Sequence, residues 1–269
     1  MNVYDCFIYN NEDLILDIRL NHLDKFVKKF IIVEARFTHQ GKEKKTFLDL
    51  QKFQKFKDKI IHLFIENFPS NSSNWERENF QRNYITNGLV EVLDEDYVLI
   101  SDLDEIPNIK KFNYNNKFKY TAFEQKNFSY KLNLLNTTYP SWYGTKGCKK
   151  KYLKSPQWLR DLKFKKRPFW RLDKIRLNNI IKNGGWHFCN LKTPENLLYK
   201  YKNLCETNDP IHFNESIDSK YLQLDEIRKK ITSGEDIIGR KDSFIKVNLD
   251  SSFPEYLTKN RDIYKDWII

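Results

Sequence analysis

Four short apolar runs punctuate the first hundred residues: NVYDCFIY (2–9), FIIVEA (30–35), IIHLFI (60–65) and YVLI (97–100). Between them, apolar residues return at helical spacing. Leu16, Leu20, Leu23 and Val27 follow the first run, and Ile85, Leu89 and Val92 share a face within the stretch from Trp75 to Leu93 that leads into the fourth. Short continuous apolar runs suit strands buried on both faces. Strand and helix units alternating at this length predict a doubly wound, mostly parallel sheet flanked by helices. Ligands of such sheets collect outside the carboxyl ends of the strands. Those ends carry the polar residues: Asn10, Asn11 and Glu12 after the first run, Glu34 in the second, and Ser101 to Glu105 after the fourth.

The last of these ends reads YVLISDLDEIP (97–107). Carboxylates crowded at a strand's end repel one another unless a cation or ligand offsets their charge. In extended backbone, residues i and i+2 point the same way, so Asp102 and Asp104 can address one ion. Oxygen donors suit Mn²⁺ or Mg²⁺, which complete their shell with substrate phosphates. That chemistry serves a nucleotide-sugar site, where the metal stabilises a departing diphosphate. The same residues also suit a helix cap, with Ser101 or Asp102 as N-cap and an acid three residues on.

Composition narrows the options. A chain of 269 residues with 40% hydrophobic and 15% aromatic residues forms a sizeable core, as one α/β domain or one domain with an added lobe. Neither a membrane-length apolar run nor a basic-then-apolar leader pattern is visible, so a cytoplasmic address is expected. Cys6, Cys148, Cys189 and Cys205 are scattered without a CxxC pair, which argues against a zinc knuckle and a disulfide framework. The formal charge of +11 would attract polyanions, yet the lysines are spread along the chain. Two local exceptions, KGCKKKYLKS (146–155) and LKFKKRPFWR (162–171), could meet phosphates, an acidic glycan or an anionic membrane surface.

The second half changes character. Residues 120–135 hold strand-like stretches, GGWHFCNL (184–191) reads as a turn entering a strand, and Pro194 opens a helix whose Leu197, Tyr201, Leu204 and Cys205 share a face. The tail beyond Ser233 shows no strong periodicity, and no linker divides the chain. Arg77, Arg82 and Asn83 precede the fourth strand on one helix, where an Arg fork could bind phosphate or simply pair with Glu76, Glu78 and Glu91. Glu34 could accept bonds from a ribose or base, or pair with Arg36. His187, between Trp186 and Phe188, reads as a core histidine or as a further metal ligand. Trp142, Tyr143, Trp158 and Trp170 suit either core packing or platforms for sugar rings.

As a set, these motifs resemble the β-1,4-mannosyl-glycoprotein N-acetylglucosaminyltransferase family, glycosyltransferase family 17. The carrying residues are YDCFIYNNEDLILDIRLNHL (4–23), FIIVEARFTHQGKEK (30–44), RENFQRNYITNGL (77–89), LISDLDEIP (99–107), GGWHF (184–188) and SGEDIIGR (233–240). One departure falls after the WHF strand, where this chain reads YKNLCETND (201–209) in place of a Ser- and His-containing stretch. The resemblance implies a single GT-A-like domain, with residues 1–110 binding the nucleotide sugar and 111–269 forming the acceptor side. It implies a UDP-sugar donor, UDP-GlcNAc above others, a glycan acceptor and inversion at the anomeric carbon. Asp104 is then the principal metal ligand, assisted by Asp102. Asn10, Glu34, Arg82 and Asn83 line the donor cleft, with Lys42 and Lys44 as further candidates for the diphosphate. Inversion needs a base to deprotonate the acceptor hydroxyl, and the candidates are Asp161 and then Glu124. Other classes remain open: a metal-dependent nuclease or nucleotidyltransferase, a basic nucleic-acid-binding protein, and a non-catalytic homologue of the family.

Overall fold

The computed structural model describes residues 1–113, 118–163, 179–203 and 223–269. Trp170, Leu204, Cys205, residues 204–209 of the departing stretch and 164–171 of the second basic stretch lie outside the described residues.

The alternation expected of the first half is observed. Strand β1 (Val3–Tyr9), helix α1 (Asp13–Leu23), β2 (Lys29–Ala35), β3 (Ile60–Ile65), α2 (Asn74–Asn83) and β4 (Tyr97–Asp102) follow in order. Their strands pair in parallel in the spatial order β3-β2-β1-β4. Helix α2 starts at a capping box, in which Ser73 and Glu76 exchange bonds with each other's backbone N–H. It stops earlier than the periodicity suggested, continuing as a 3-10 turn over Tyr84–Leu89. Gly88 of that turn packs closely on β2, where a Cβ would lie 2.7 Å from Ile31.

The second half adds β5 (Glu105–Pro107), β6 (Tyr120–Ser129), β7 (Leu134–Asn136), β8 (Ser141–Trp142), β9 (Lys146–Lys149), helix α3 (Pro156–Asp161), β10 (Asn179–Cys189), α4 (Pro194–Asn203), α5 (Leu224–Ser233), β11 (Phe244–Lys246) and α6 (Glu255–Lys259). β9 joins β4 to β6 with antiparallel ladders on both sides, and β10 pairs in parallel with β6 and antiparallel with β5. The longest ladders are the parallel ones, and the described strands form one sheet in one α/β domain, consistent with a GT-A-like fold. Gly185, at φ +146°, lets β10 run against β5, since a Cβ there would meet the Ile106 carbonyl at 2.2 Å.

Apolar layers cover both sheet faces. On one, α1 packs with Phe7, Phe30, Trp186 and Phe188; on the other, Ile85, Leu89 and Leu159 cover Cys6, Ile31 and Ile100. Each such buried side chain stabilises the fold by roughly 1.5–3 kcal/mol. The tail, unreadable by periodicity, folds back on α1 through the buried Phe253, Leu257 and Tyr264, and the Tyr264 hydroxyl donates to Asp17. A third small core joins Leu197 and Tyr201 of α4 to Ile227 and Ile231 of α5 and to Ile237. Among the described residues, no helix is long and apolar enough to cross a membrane. Of the basic stretch 146–155, Lys146 is buried in β9, whereas Lys151 and Lys154 are exposed, and Lys149 and Lys151 pair at the surface with Glu95.

Candidate functional site

The DLDE segment is no helix cap. β4 ends at Asp102, the chain turns, and β5 begins at Glu105. The turn is held from below by Arg19 of α1, a fully buried guanidinium. Its Nε and Nη2 donate to the Asp5 carboxylate at 2.8 and 2.6 Å, and Nη2 also reaches Ser101 Oγ at 2.5 Å. Its Nη1 donates to the backbone carbonyls of Asp102, Leu103 and Glu105 at 2.9–3.0 Å. A planar donor fork suits this task, because it satisfies several converging carbonyls at once.

Above that anchor the two aspartates have different surroundings. Asp102 is clamped between Arg82 of α2 (2.9 Å) and Arg160 of α3 (2.6 Å). Burial alone would raise its pKa, but Arg160 and Arg82 outweigh it and hold the carboxyl far below the ordinary aspartate range. Arg160 also binds the buried Glu105 at 2.6 Å, and Glu105 Oε1 accepts from Trp142 Nε1 at 2.6 Å. Sequence reasoning missed Arg160, since nothing local distinguishes it from any arginine next to a helix-ending acid.

Asp104 instead faces β10. Its carboxylate lies 3.5 Å from His187 Nε2, and the donor atoms of Asp104, His187 and Cys189 all fall within 4.8 Å of one another. His187 and Cys189 stand two apart on a strand and so share a face, a signal already present in GGWHFC (184–189). His187 Nδ1 meets Asn127 Oδ1 at 3.1 Å, and the ring stacks on the half-exposed Trp142 with centroids 4.9 Å apart. An imidazole oriented through its far nitrogen is a usual arrangement for a metal ligand. Burial opposes charge on His187, yet Asp104 raises its pKa well above the ordinary histidine value. A carboxylate, an imidazole and a thiol fit a divalent transition ion, which would displace the imidazole's proton on binding.

The donor candidates divide. Asn10 is exposed beyond β1 and lines a recess with His39, Lys44 and Gln81. The recess holds about 30 Å³, room for water rather than for a nucleotide. Gln81 shapes it, donating to the Val33 carbonyl at 2.9 Å and meeting His39 Nε2 at 2.7 Å. Arg82 faces Asp102, as described, and Asn83 Oδ1 accepts from the Gln157 N–H at 3.0 Å, joining α2 to α3. Glu34 is fully buried. It binds Lys44 at 2.7 Å, His62 at 3.2 Å and the Leu48 N–H, and so anchors the loop after β2. Lys44 is occupied by that same pairing.

The two candidate bases lie apart. Asp161 is exposed at the end of α3 and accepts from Gln157 Nε2 at 2.9 Å, while Gln157 Oε1 accepts from Arg82 at 2.5 Å. Asp161 is thus two hydrogen-bonded residues from Asp102. Glu124 accepts from Tyr143 and pairs with Lys182 at 3.1 Å. The pleat of β6 turns it away from the face on which Asn127 meets His187. Trp158 packs edge-on against Tyr120.

Comparison with known proteins shows the family. The profile of glycosyltransferase family 17 matches residues 1–244. The β-1,4-mannosyl-glycoprotein 4-β-N-acetylglucosaminyltransferases of Rattus norvegicus and Mus musculus are each 21% identical over 289 aligned positions, covering 95% of this chain and 52% of the relative. The Homo sapiens protein of that name is 28% identical over 108 positions, covering 36% of this chain and 20% of its own. This chain spans about half the length of the rat and mouse relatives. With nine-tenths of its residues inside the family profile, the chain belongs to glycosyltransferase family 17.

Proposed function

We propose that this chain is an inverting, divalent-metal-dependent glycosyltransferase that moves GlcNAc from UDP-GlcNAc onto a glycan acceptor. The observation that carries the reading is the convergence of Asp104, His187 and Cys189 beside an Arg-clamped Asp102, at the carboxyl edge of a parallel sheet. Family membership and the names of the relatives support the transferred sugar.

Asp104 and His187 would hold Mn²⁺ or Mg²⁺, with Cys189 as a third donor. A bound ion would supply a Lewis acid that offsets charge on the leaving diphosphate. Arg82 and Arg160 keep Asp102 ionised and oriented toward the ribose or metal-bound water, and Asn10 and Asn83 border the same edge. Glu34 acts at one remove, by fixing the loop that carries Lys44. Asp161 is the carboxylate assigned to accept the acceptor's proton, with Glu124 as the alternative.

Calorimetric titration with UDP, in Mn²⁺ and in EDTA, tests the reading. Metal-dependent binding that disappears in Asp104→Ala is expected. Binding that ignores both EDTA and the substitution would remove the metal from the mechanism, and transfer unaffected by Asp161→Asn would remove that base.

A further inference from the structure

Strand register sets a tryptophan over the imidazole of the candidate metal site. β8 pairs antiparallel with β6 at Trp142 and Gln125, and β10 pairs in parallel with β6 at His187 and Asn127. Gln125 and Asn127 are two apart on β6, so Trp142 and His187 flank that strand on one face. Their rings stack with centroids 4.9 Å apart and planes 21° from parallel. The indole is fixed at its edge as well, since Nε1 donates to Oε1 of the buried Glu105 at 2.6 Å.

The backbone on either side is tethered too. Asn127 donates from its backbone N–H to the Pro140 carbonyl and from Nδ2 to the Tyr139 carbonyl, at 3.1 and 3.0 Å. Arg160 donates to the Gly144 carbonyl at 2.6 Å. Only glycine fits there, because a Cβ on Gly144 would lie 2.2 Å from the Glu105 carboxyl. Under all these restraints Trp142 still keeps 41% of its surface exposed. A single exposed apolar side chain is ordinary. This one is different because it is held rigidly in the open.

His187 covers one ring face and Glu105 takes the N–H, so the exposed surface is carbon, on the opposite face and the outer edge. Such a surface recognises a ligand through C–H contact and not through hydrogen bonds. The C–H groups on one face of a pyranose ring meet it in this way, with the sugar hydroxyls left at the rim. Place favours the sugar over the nucleotide. Trp142 sits against β6, whereas the Asn10 recess follows β1 on the other side of β4. A ring on the outer face of the indole stands two stacking distances, roughly 9–14 Å, from the imidazole centroid. That separation leaves the transferred sugar at the ion and sets the acceptor against the indole.

We propose that the outer face of Trp142 is the platform on which a pyranose ring of the acceptor glycan stacks. Calling that glycan the acceptor rests on the proposed transferase function, whereas the sugar contact itself needs neither ion nor donor. Saturation-transfer NMR of the full chain with chitotriose and with mannotriose, each with and without UDP and Mn²⁺, tests it. Saturable binding of at least one trisaccharide is expected, weakened about tenfold or more in Trp142→Leu. Trp142→Phe should restore it to within about threefold, because a phenyl ring returns the flat face. Were Trp142 only a brace for His187 and Glu105, Mn²⁺ affinity and the urea midpoint would fall in step with the sugar contact. That result would overturn the proposal. So would the absence of saturable binding, indifference to Trp142→Leu, equal loss in Leu and Phe, or displacement of the sugar by UDP, which would put the ring in the donor site. A Trp142-dependent sugar contact without UDP binding would strike the transferase reading and keep the platform. UDP binding beside a sugar contact that ignores Trp142 would do the reverse.

Discussion

The carboxyl ends of β2 and β4 look alike in sequence, each an apolar run reaching an acid, yet their acids stand in opposite surroundings. Glu34 is fully buried, its oxygens taken by Lys44, His62 and the Leu48 N–H. Asp104 is half-buried and faces the donor atoms of His187 and Cys189. A carboxylate surrounded by protein donors organises a loop, whereas one set among other metal-ligating groups is available to an ion. Position at a strand's end marks both, and only the partners separate them.

The largest expected effect concerns the anchor beneath the β4 end. Arg19→Met leaves Asp5 buried without its partner and frees the three carbonyls of the turn, and breaking a buried pair costs about 3–5 kcal/mol. Urea unfolding should show that loss. In Arg19→Met/Asp5→Leu, only the part of the loss owed to the stranded Asp5 should return, and Mn²⁺ binding should stay impaired, because the turn carbonyls still lack their donor. Recovery of both would mean that Arg19 merely compensates Asp5.

The next effect separates the two strand ends directly. Glu34→Gln should cost about 3 kcal/mol by stranding Lys44, yet leave Mn²⁺ affinity within about threefold. Asp104→Asn should do the reverse, abolishing Mn²⁺ binding with little change in the urea midpoint. If Glu34→Gln also abolished metal binding, the two ends would form one site.

Acidification gives a smaller, graded effect. His22 is neutral in the fold, with its pKa lowered to about 4 from an unfolded value near 6.5. Between those values the unfolded chain binds the extra proton, so stability rises with pH through this window and falls on acidification. The full difference is up to about 3 kcal/mol. Thermal unfolding from pH 7 to pH 4 should show the decline, and His22→Gln should flatten it.

The smallest effect falls on metal preference. Cys189→Ser should weaken Co²⁺ or Zn²⁺ more than Mn²⁺, because thiolate favours softer ions. The sulfur-to-Co²⁺ charge-transfer absorption should vanish with it. Absorption that persists would assign the sulfur elsewhere.

Much of this molecule was legible from residue order. The four strands, the helices between them and the acids at their ends follow from periodicity, because the side-chain repeats of strand and helix relate near neighbours. The family motifs carried the GT-A-like expectation for the same reason: each is a contiguous stretch. What chain order could not show is pairing at a distance. Arg19 beneath the DLDE turn, Arg160 against Asp102 and Cys189 beside Asp104 are 55 or more residues from their partners in the turn or β4 end. Glu34's enclosure depends on where Lys44 and His62 come to rest, and the aperiodic tail finds its place only against α1. An ion pair or a ligand set is defined by ångström-scale distances and by burial, and both arise only when the sheet has brought remote segments together.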